Sequence, residues 1–125
     1  MDGEISADEL QELLRAGEPV RIVDIRSPAQ FARRYIPESE NVPFGELTAR
    51  IESFDGDDRV VTVCPHGQAS VQAARLIGSF EGFDGTVESL ECGIEGWPYE
   101  LETESGSEND SPTASEAPDA SDAPF

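Results

Sequence analysis

Residues 59–64, Arg-Val-Val-Thr-Val-Cys, form a short β-branched run that leads into a glycine-containing loop and then into a helical pattern. β-Branched side chains favour strands, and a strand that is apolar on both faces has to be covered on both sides. Strands of that kind occur in parallel sheets enclosed by helices. The run therefore predicts an interior strand of an α/β fold.

The rest of the chain alternates between short apolar strands and amphipathic helices. Ser6-Ala-Asp-Glu9 fits a capping box, and apolar residues follow at helical spacing as far as Gly17. Further helices are predicted from Ser27-Pro28 to about residue 35, over 44–54 and over 70–80, with further strands over 20–25 and 86–90. This alternation favours right-handed βαβ crossovers and a small parallel sheet with helices on both faces.

The composition changes at about residue 102. From there to residue 125 Glu, Ser, Asp, Ala and Pro dominate, and seven acidic side chains occur without a basic one. Such segments bury too little apolar surface to form a core. We therefore expect one domain over residues 1–101 and a disordered acidic tail over residues 102–125. Trp97, close to this boundary, is expected to be a core aromatic that holds a C-terminal helix.

The charge of the chain restricts its partners. The formal net charge is −19, and all eight basic residues are Arg. Nucleic acids and anionic membranes select basic patches, so neither is expected as a partner. The first residues lack the basic and apolar regions of an export signal, which predicts a cytoplasmic protein. The acidic, lysine-free composition resembles that of proteins of halophilic archaea, in which salt screens self-repulsion.

Cys64 stands at the carboxyl end of the predicted interior strand, where parallel sheets bind ligands. The loop Pro65-His66-Gly67-Gln68-Ala69 and Ser70 follow it, and the loop can curl so that the backbone N–H groups after Pro65 converge on the sulfur, reinforced by the helix dipole. Such a field favours the thiolate, which is the nucleophile. Gly67 permits a close approach of the backbone, and Ser70 is expected to cap the helix with its hydroxyl pointing into the loop. The alternative is a free cysteine that only fills space.

Three further side chains are candidates for supporting roles. His66 either adds positive charge or binds an anion, or it is an exposed loop imidazole, and both readings stay open. Asp24, at the end of the first predicted strand, is expected to accept hydrogen bonds from loop N–H groups. Arg26 either lends charge to the pocket mouth or pairs with a carboxylate, and the structural role is favoured. One His and two Cys are too few for a closed zinc site, so neither a metal nor a cofactor is expected.

Four segments, in this order, resemble the single-domain form of the rhodanese family of sulfurtransferases over about residues 4–100. They are Asp24-Ile-Arg26 with its preceding strand, Gln30-Phe31 with Tyr35-Ile36-Pro37 and Asn41-Val42-Pro43, the loop from Cys64 to Ser70, and Cys92-Gly93-Ile-Glu-Gly-Trp97. The resemblance implies a rhodanese-like fold with about five strands. It also implies that Cys64 takes sulfane sulfur from a donor such as thiosulfate, holds it as a persulfide, and passes it to a thiophilic acceptor. The acceptor stays open between a sulfur-carrier protein, thiolated-tRNA or cofactor biosynthesis, and cyanide or a small thiol.

The chain departs from the family pattern at two positions that bear on function. Many members carry Arg five places after the cysteine, where it would clamp an anionic donor, and this chain has Ala69. Cys92 replaces the first Gly of the closing motif, so it either exchanges sulfur with Cys64 as a relay or simply fills the place of a small residue.

Two other functions compete with sulfur transfer. One is a non-catalytic binding or regulatory module that keeps the fold. The presence of Cys64 and Gly67 argues against this hypothesis. The other is phosphatase or arsenate reductase chemistry, which uses a Cys-x5-Arg loop. This chain has Ser70 where that motif requires Arg.

Overall fold

A computed structural model describes residues 2–103, so most of the segment expected to be a disordered tail lies outside the described residues. In the described part, five parallel strands form one sheet in the order β1-β5-β4-β2-β3. The strands are β1 (Asp2–Ile5), β2 (Arg21–Asp24), β3 (Glu40–Asn41), β4 (Arg59–Val63) and β5 (Thr86–Leu90). The helices are α1 (Ala7–Ala16), α2 (Pro28–Arg33), α3 (Phe44–Leu47) and α4 (Ala69–Ser79), with a 3-10 helix over Thr48–Phe54. The expected α/β fold is confirmed.

The core has one layer on each face of the sheet. The α4 layer consists of buried residues from β2, β4, β5, α3, the 3-10 helix, α4 and the connecting segments: Val23, Ile25, Val42, Leu47, Phe54, Val60, Cys64, Ala73, Ala74, Ile77, Phe83 and Val87. The α1 layer lies on the other face: Ile5, Leu10, Ile22, Ile36, Val61, Val63, Leu90, Ile94 and Trp97. Successive residues of β4 alternate between the layers, which explains why this strand is apolar on both faces.

Two of the predicted N-caps, Ser6 and Ser27, are present in the structure. Ser6 Oγ accepts the Glu9 N–H at 3.1 Å, and Glu9 in turn accepts the Ser6 N–H, which completes the capping box. Gly17 ends α1 in the left-handed conformation, with φ of 70°. Ser27 caps α2 by accepting the Gln30 N–H. Local sequence therefore determines where both helices begin.

Several predicted elements differ from the structure. The expected helix over 44–54 is α-helical for only four residues and then continues as a 3-10 helix, because Pro43 provides no side-chain cap and Gly45 and Thr48 are weak helix formers. The second helix stops at Arg33, since Arg34 is extended. The C-terminal helix expected at Trp97 is replaced by turns over residues 91–96, although Trp97 is buried as predicted.

Glu102, expected to start the tail, is paired with the body of the protein. Its N–H and carbonyl exchange two hydrogen bonds of 2.8 Å with Tyr35. The ordered backbone therefore reaches past the predicted boundary at residue 101.

The longest helix in the described range, α4, has 11 residues. No helix found there combines the length and hydropathy that crossing a bilayer requires.

Candidate active site

Cys64 lies directly after β4, at the carboxyl edge of the sheet. The Ile25 N–H donates to the Val63 carbonyl on one side, and the Ile94 N–H donates to the Cys64 carbonyl at 2.9 Å on the other. Glu95 N–H then bonds the Pro65 carbonyl at 3.0 Å. Backbone hydrogen bonds from the segments that follow β2 and β5 therefore fix both sides of the loop entrance.

The Cys64 sulfur has two hydrogen-bond partners in its own loop. The Gly67 N–H donates to Sγ at 3.0 Å, and Ser70 Oγ lies 3.3 Å from Sγ. The cysteine is only 2 % exposed. The loop therefore curls back over the sulfur and forms a backbone nest for a negative charge.

These contacts set the acidity of the thiol. Burial raises the pKa of Cys64, but the Ser70 hydroxyl and the backbone N–H groups of Ser70, His66 and Gly67 outweigh burial, and the net pKa is lowered. All the favourable contributions come from hydrogen-bond donors within six residues of the sulfur. The loop therefore favours a thiolate, which is the reactive form of cysteine.

Gly67 allows the loop to adopt this shape. Its φ is 82°, in the left-handed region, and a Cβ at this position would overlap the Glu91 carbonyl oxygen. A side chain would thus be strained by the backbone angle and obstructed by the end of β5. The Gly67 N–H can point at the sulfur only because the residue lacks a side chain.

Ser70 does not cap α4, contrary to the sequence-based prediction. The N-cap is Gln68, which already has helical backbone angles and makes no side-chain cap, so Ser70 lies in the first helical turn. Its hydroxyl contacts the Cys64 sulfur and also lies 2.6 Å from Ser89 Oγ. The part of the prediction that placed this hydroxyl toward the loop agrees with the structure.

The remaining loop residues form the rim of the site. His66, Gln68 and Ala69 are exposed, while Pro65 is half-buried. Ala69, the position at which the resemblance implies an Arg, is therefore open to solvent at the start of α4. Since Ala69 ends at Cβ, it brings no charge to the rim.

Asp24 and Arg26 form a buried ion pair at the end of β2. Arg26 Nε and Nη2 donate to Asp24 Oδ1 at 2.9 Å and Oδ2 at 2.8 Å, and the Arg26 N–H also donates to Oδ1 at 3.0 Å. Arg26 Nη2 further bonds the Arg34 carbonyl. Asp24 accepts a loop N–H and Arg26 pairs with a carboxylate, as predicted, so both side chains hold the backbone beside the loop.

Cys92 occupies the turn after β5, beside the loop but in a different environment. It packs against the α1 layer, whereas Cys64 belongs to the α4 layer. Its thiol donates to the Gly93 carbonyl, and burial together with the Glu91 carboxylate raises the pKa of Cys92. The relay between the two cysteines stays a prediction.

Sequence reasoning missed two residues of the site, Thr62 and Ser89. Both are fully buried, and they pair in register on β4 and β5. Thr62 Oγ1 donates to the Ser70 carbonyl at 2.7 Å, and Ser89 Oγ meets the Ser70 hydroxyl. A hydroxyl in the middle of an otherwise apolar buried strand was the available signal, because buried polar groups require partners.

Over residues 2–103, no group of three or more His, Cys, Asp or Glu side chains is placed to hold a metal ion.

The sequence of this chain is similar to those of rhodanese-like proteins. A family model for the rhodanese-like domain matches residues 6–100. The chain is 34% identical over 97 residues to a sulfurtransferase of Allochromatium vinosum, covering 78% of this chain and 89% of that protein. It is 38% identical over 93 residues to the thiosulfate sulfurtransferase GlpE of Pseudomonas fluorescens, covering 74% and 82% respectively.

A similar fold is found in the crystal structure of a rhodanese-like domain protein from Staphylococcus aureus. The TM-score is 0.71 at 30% identity, and the match covers 82% of this chain and 98% of that one. The chain belongs to the rhodanese-like domain family.

Proposed function

We propose that this protein is a sulfurtransferase in which Cys64 carries sulfane sulfur as a persulfide. The observation that supports the proposal best is the pair of hydrogen bonds at Cys64 Sγ, from the Gly67 N–H and with Ser70 Oγ. These bonds favour the thiolate that must attack the donor. The names of the relatives point to the same class of reaction.

With thiosulfate as donor, two displacements complete the cycle. The Cys64 thiolate attacks the outer sulfur, the S–S bond of thiosulfate breaks with its electron pair on the leaving group, and sulfite departs. Cys64 then carries a persulfide with its negative charge on the terminal sulfur. An acceptor such as cyanide attacks that sulfur, leaves as thiocyanate, and restores the thiolate.

The backbone of the loop is suited to the charged intermediate. N–H groups that converge on a sulfur can also stabilise the adjacent terminal sulfur of a persulfide, in the way that an oxyanion hole stabilises an alkoxide. The donors belong to the backbone of residues 66–70, whose shape is fixed by Gly67 and by the hydrogen bonds to the turn after β5. They therefore need little rearrangement during the reaction.

The rim of the site bears on the choice of donor. Ala69 supplies no cation, Arg26 is buried against Asp24, and Arg34 pairs with Glu95 at 3.0 Å. A dianion such as thiosulfate gains little from such a rim, so we propose that less charged persulfide or polysulfide donors compete well with it. Because two relatives are named thiosulfate sulfurtransferases, thiosulfate is also proposed as a donor.

The acceptor is proposed by chemical class. A thiophilic nucleophile is required, which includes cyanide, a small thiol and a cysteine of a sulfur-carrier protein. The net charge of −19 disfavours nucleic acid as a direct partner. A cytoplasmic location also remains part of this proposal.

Thiocyanate formation from thiosulfate and cyanide tests the proposal. We expect wild-type protein to turn over, Cys64→Ser to lose the activity, and Cys92→Ser to serve as the matched control for loss of the other thiol. Activity that survives in Cys64→Ser would contradict the proposal. Activity that is lost in Cys92→Ser as well, with the fold intact, would support the relay.

A further inference from the structure

Three buried hydroxyl groups converge beside Cys64. In the described part of the chain the buried polar side chains are Asp24, Arg26, Thr62, Ser70 and Ser89. The first two satisfy each other, and the other three meet at Ser70. Thr62 Oγ1 holds the Ser70 carbonyl, Ser89 Oγ lies 2.6 Å from Ser70 Oγ, and Ser70 Oγ lies 3.3 Å from Cys64 Sγ.

When Cys64 is ionised, the number of protons in this cluster determines which group donates each hydrogen bond. A thiolate has no proton to give, so its hydrogen bond with Ser70 requires that Ser70 be the donor. Ser70 has a single hydroxyl proton, and once that proton points to sulfur, the short contact with Ser89 requires Ser89 to donate to Ser70. When Cys64 is a thiol that donates to Ser70, Ser70 can instead donate to Ser89.

We propose that Ser89 is a positioning residue for the Cys64 thiolate, acting through the Ser70 hydroxyl. By donating to Ser70, Ser89 holds the Ser70 oxygen in place, directs its proton to the sulfur, and polarises that proton because hydrogen bonds in a chain strengthen one another. Ser89 is fully buried and its hydroxyl meets that of Ser70, so its route to the sulfur runs through Ser70. The inference rests on the proposed function only in taking the thiolate as the reacting form.

The surroundings of Cys64 favour stabilisation of the thiolate by hydrogen bonds over stabilisation by a nearby positive charge. The titratable groups on or directly after the elements packed around it are Arg21, Asp24 and Arg26 of the β2 segment, Glu46 on α3, Arg59 on β4, His66 in the loop, Arg75 on α4, and Glu88, Glu91, Cys92 and Glu95 of the β5 segment. Arg21 and Arg59, the first residues of their strands, pair with carboxylates. Asp24 and Arg26 cancel each other, Glu46 and Arg75 are exposed, and the groups after β5 are acidic or thiol. Apart from His66, the loop residues around the sulfur offer it dipoles rather than charges.

The test measures the ionisation of Cys64 directly in a Cys92→Ser background. Ultraviolet absorbance of the thiolate is followed against pH, with Cys64→Ser subtracted, so that no sulfur donor is needed. Removal of a hydrogen bond to a charged group in Ser70→Ala is expected to raise the midpoint by about one pH unit. Ser89→Ala is expected to raise it by roughly 0.1 to 0.3 unit, as the loss of cooperative strengthening predicts.

The double variant shows whether Ser89 acts through Ser70. We expect Ser70→Ala/Ser89→Ala to have the midpoint of Ser70→Ala alone, because Ser89 has no route to the sulfur once the Ser70 hydroxyl is gone. Additive shifts would overturn the inference. So would an unchanged midpoint in Ser89→Ala, or a lowered one, which would mean that Ser89 competes with the sulfur for the Ser70 proton.

A second pair of variants guards against a failure to fold. Thr and Val have the same shape and suit a strand, so Ser89→Thr and Ser89→Val differ only in the hydroxyl group. The midpoint is expected to rise in Ser89→Val and to stay at the parental value in Ser89→Thr. Equal midpoints in these two variants would overturn the inference. Because no donor is used, these outcomes are independent of whether a persulfide forms.

Discussion

Gly67 is the single residue on which the conformation of the active-site loop depends most. The residue combines a left-handed φ of 82° with a close approach to the Glu91 carbonyl, and its N–H donates to the Cys64 sulfur. The glycine and its position in the loop were visible in the sequence. Its neighbour across the loop was not, because contact with the end of β5 depends on the order of strands in the sheet.

Gly67→Ala separates backbone strain from obstruction when it is compared with Gly17→Ala. Gly17 has φ of 70° but open space where a Cβ would lie. We expect Gly17→Ala to lower the free energy of unfolding by about 1 kcal/mol, and Gly67→Ala to lower it by about 2 to 3 kcal/mol because overlap with Glu91 adds to the strain. Chemical denaturation measures both. Equal losses of unfolding free energy in the two variants would show that the close approach of residue 67 to the Glu91 carbonyl has no energetic cost.

The two thiols should ionise in a definite order. The net effect of the loop is to lower the pKa of Cys64, whereas burial and Glu91 raise the pKa of Cys92. As pH rises, Cys64 should therefore become a thiolate first, and alkylation of its peptide by iodoacetamide should reach half-maximal rate at lower pH than alkylation of the Cys92 peptide.

The sign of the stability effect follows from the same shift. Hydrogen bonds to the thiolate stabilise the fold above the pKa of an unfolded cysteine, and this stabilisation is lost as pH falls through the lower folded value. Alkylation of Cys92 at lower pH than Cys64 would contradict this account of the loop.

At the scale of secondary-structure elements, the site depends on the side-chain contacts that hold the ends of the strands in place. The Asp24–Arg26 pair lies at the end of β2 and reaches the Arg34 carbonyl after α2. The strand was predictable from its β-branched run, and its two charged residues were expected to have structural roles. Only the structure shows that they pair with each other, since a sequence does not reveal side-chain direction beyond a strand end.

Asp24→Asn tests the importance of this pair. The variant keeps the shape of the side chain but leaves Arg26 as a buried charge without its partner, so we expect the free energy of unfolding to fall by about 3 kcal/mol. Glu46→Gln is the control, because Glu46 and Arg50 form an exposed pair at 3.3 Å and its loss should cost at most about 0.5 kcal/mol. Similar small losses in both variants would contradict a fastening role for Asp24.

The elements that sequence reasoning did not identify have weak local signals. Strand β3 has two residues, and β1 begins Asp-Gly-Glu, so neither shows the apolar alternation of an independent strand. Both form because β2 and β5 offer them an open parallel edge. By contrast, α1, β2, β4, α4 and β5 carry strong periodicity and were predicted to within a few residues.

At the scale of the molecule, the dominant feature is charge. The net charge is −19, and the first 101 residues alone carry −12. Self-repulsion of this size destabilises a compact state and is screened by salt, with a Debye length of about 10 Å at 0.1 M and about 3 Å at 1 M. The compositional resemblance to proteins from salt-rich cytoplasm remains a prediction that stability can test.

The melting temperature is expected to rise as potassium chloride increases from low concentration to about 1 M, because most of the repulsion is screened over that range. Calorimetry or circular dichroism measures the change, and sucrose serves as the control for effects that do not depend on ions. A melting temperature that stays flat with salt would show that the acidic surface does not strain the fold.

The central claim, that Cys64 carries sulfur, is tested most directly by the mass of the intact protein. Wild-type protein and Cys64→Ser are incubated with thiosulfate, and separately with a polysulfide, under non-reducing conditions and without an acceptor. The account predicts the gain of one sulfur atom in wild-type protein only, with the added sulfur removed by cyanide. The absence of an adduct with either donor, or an adduct that persists in Cys64→Ser, would contradict it.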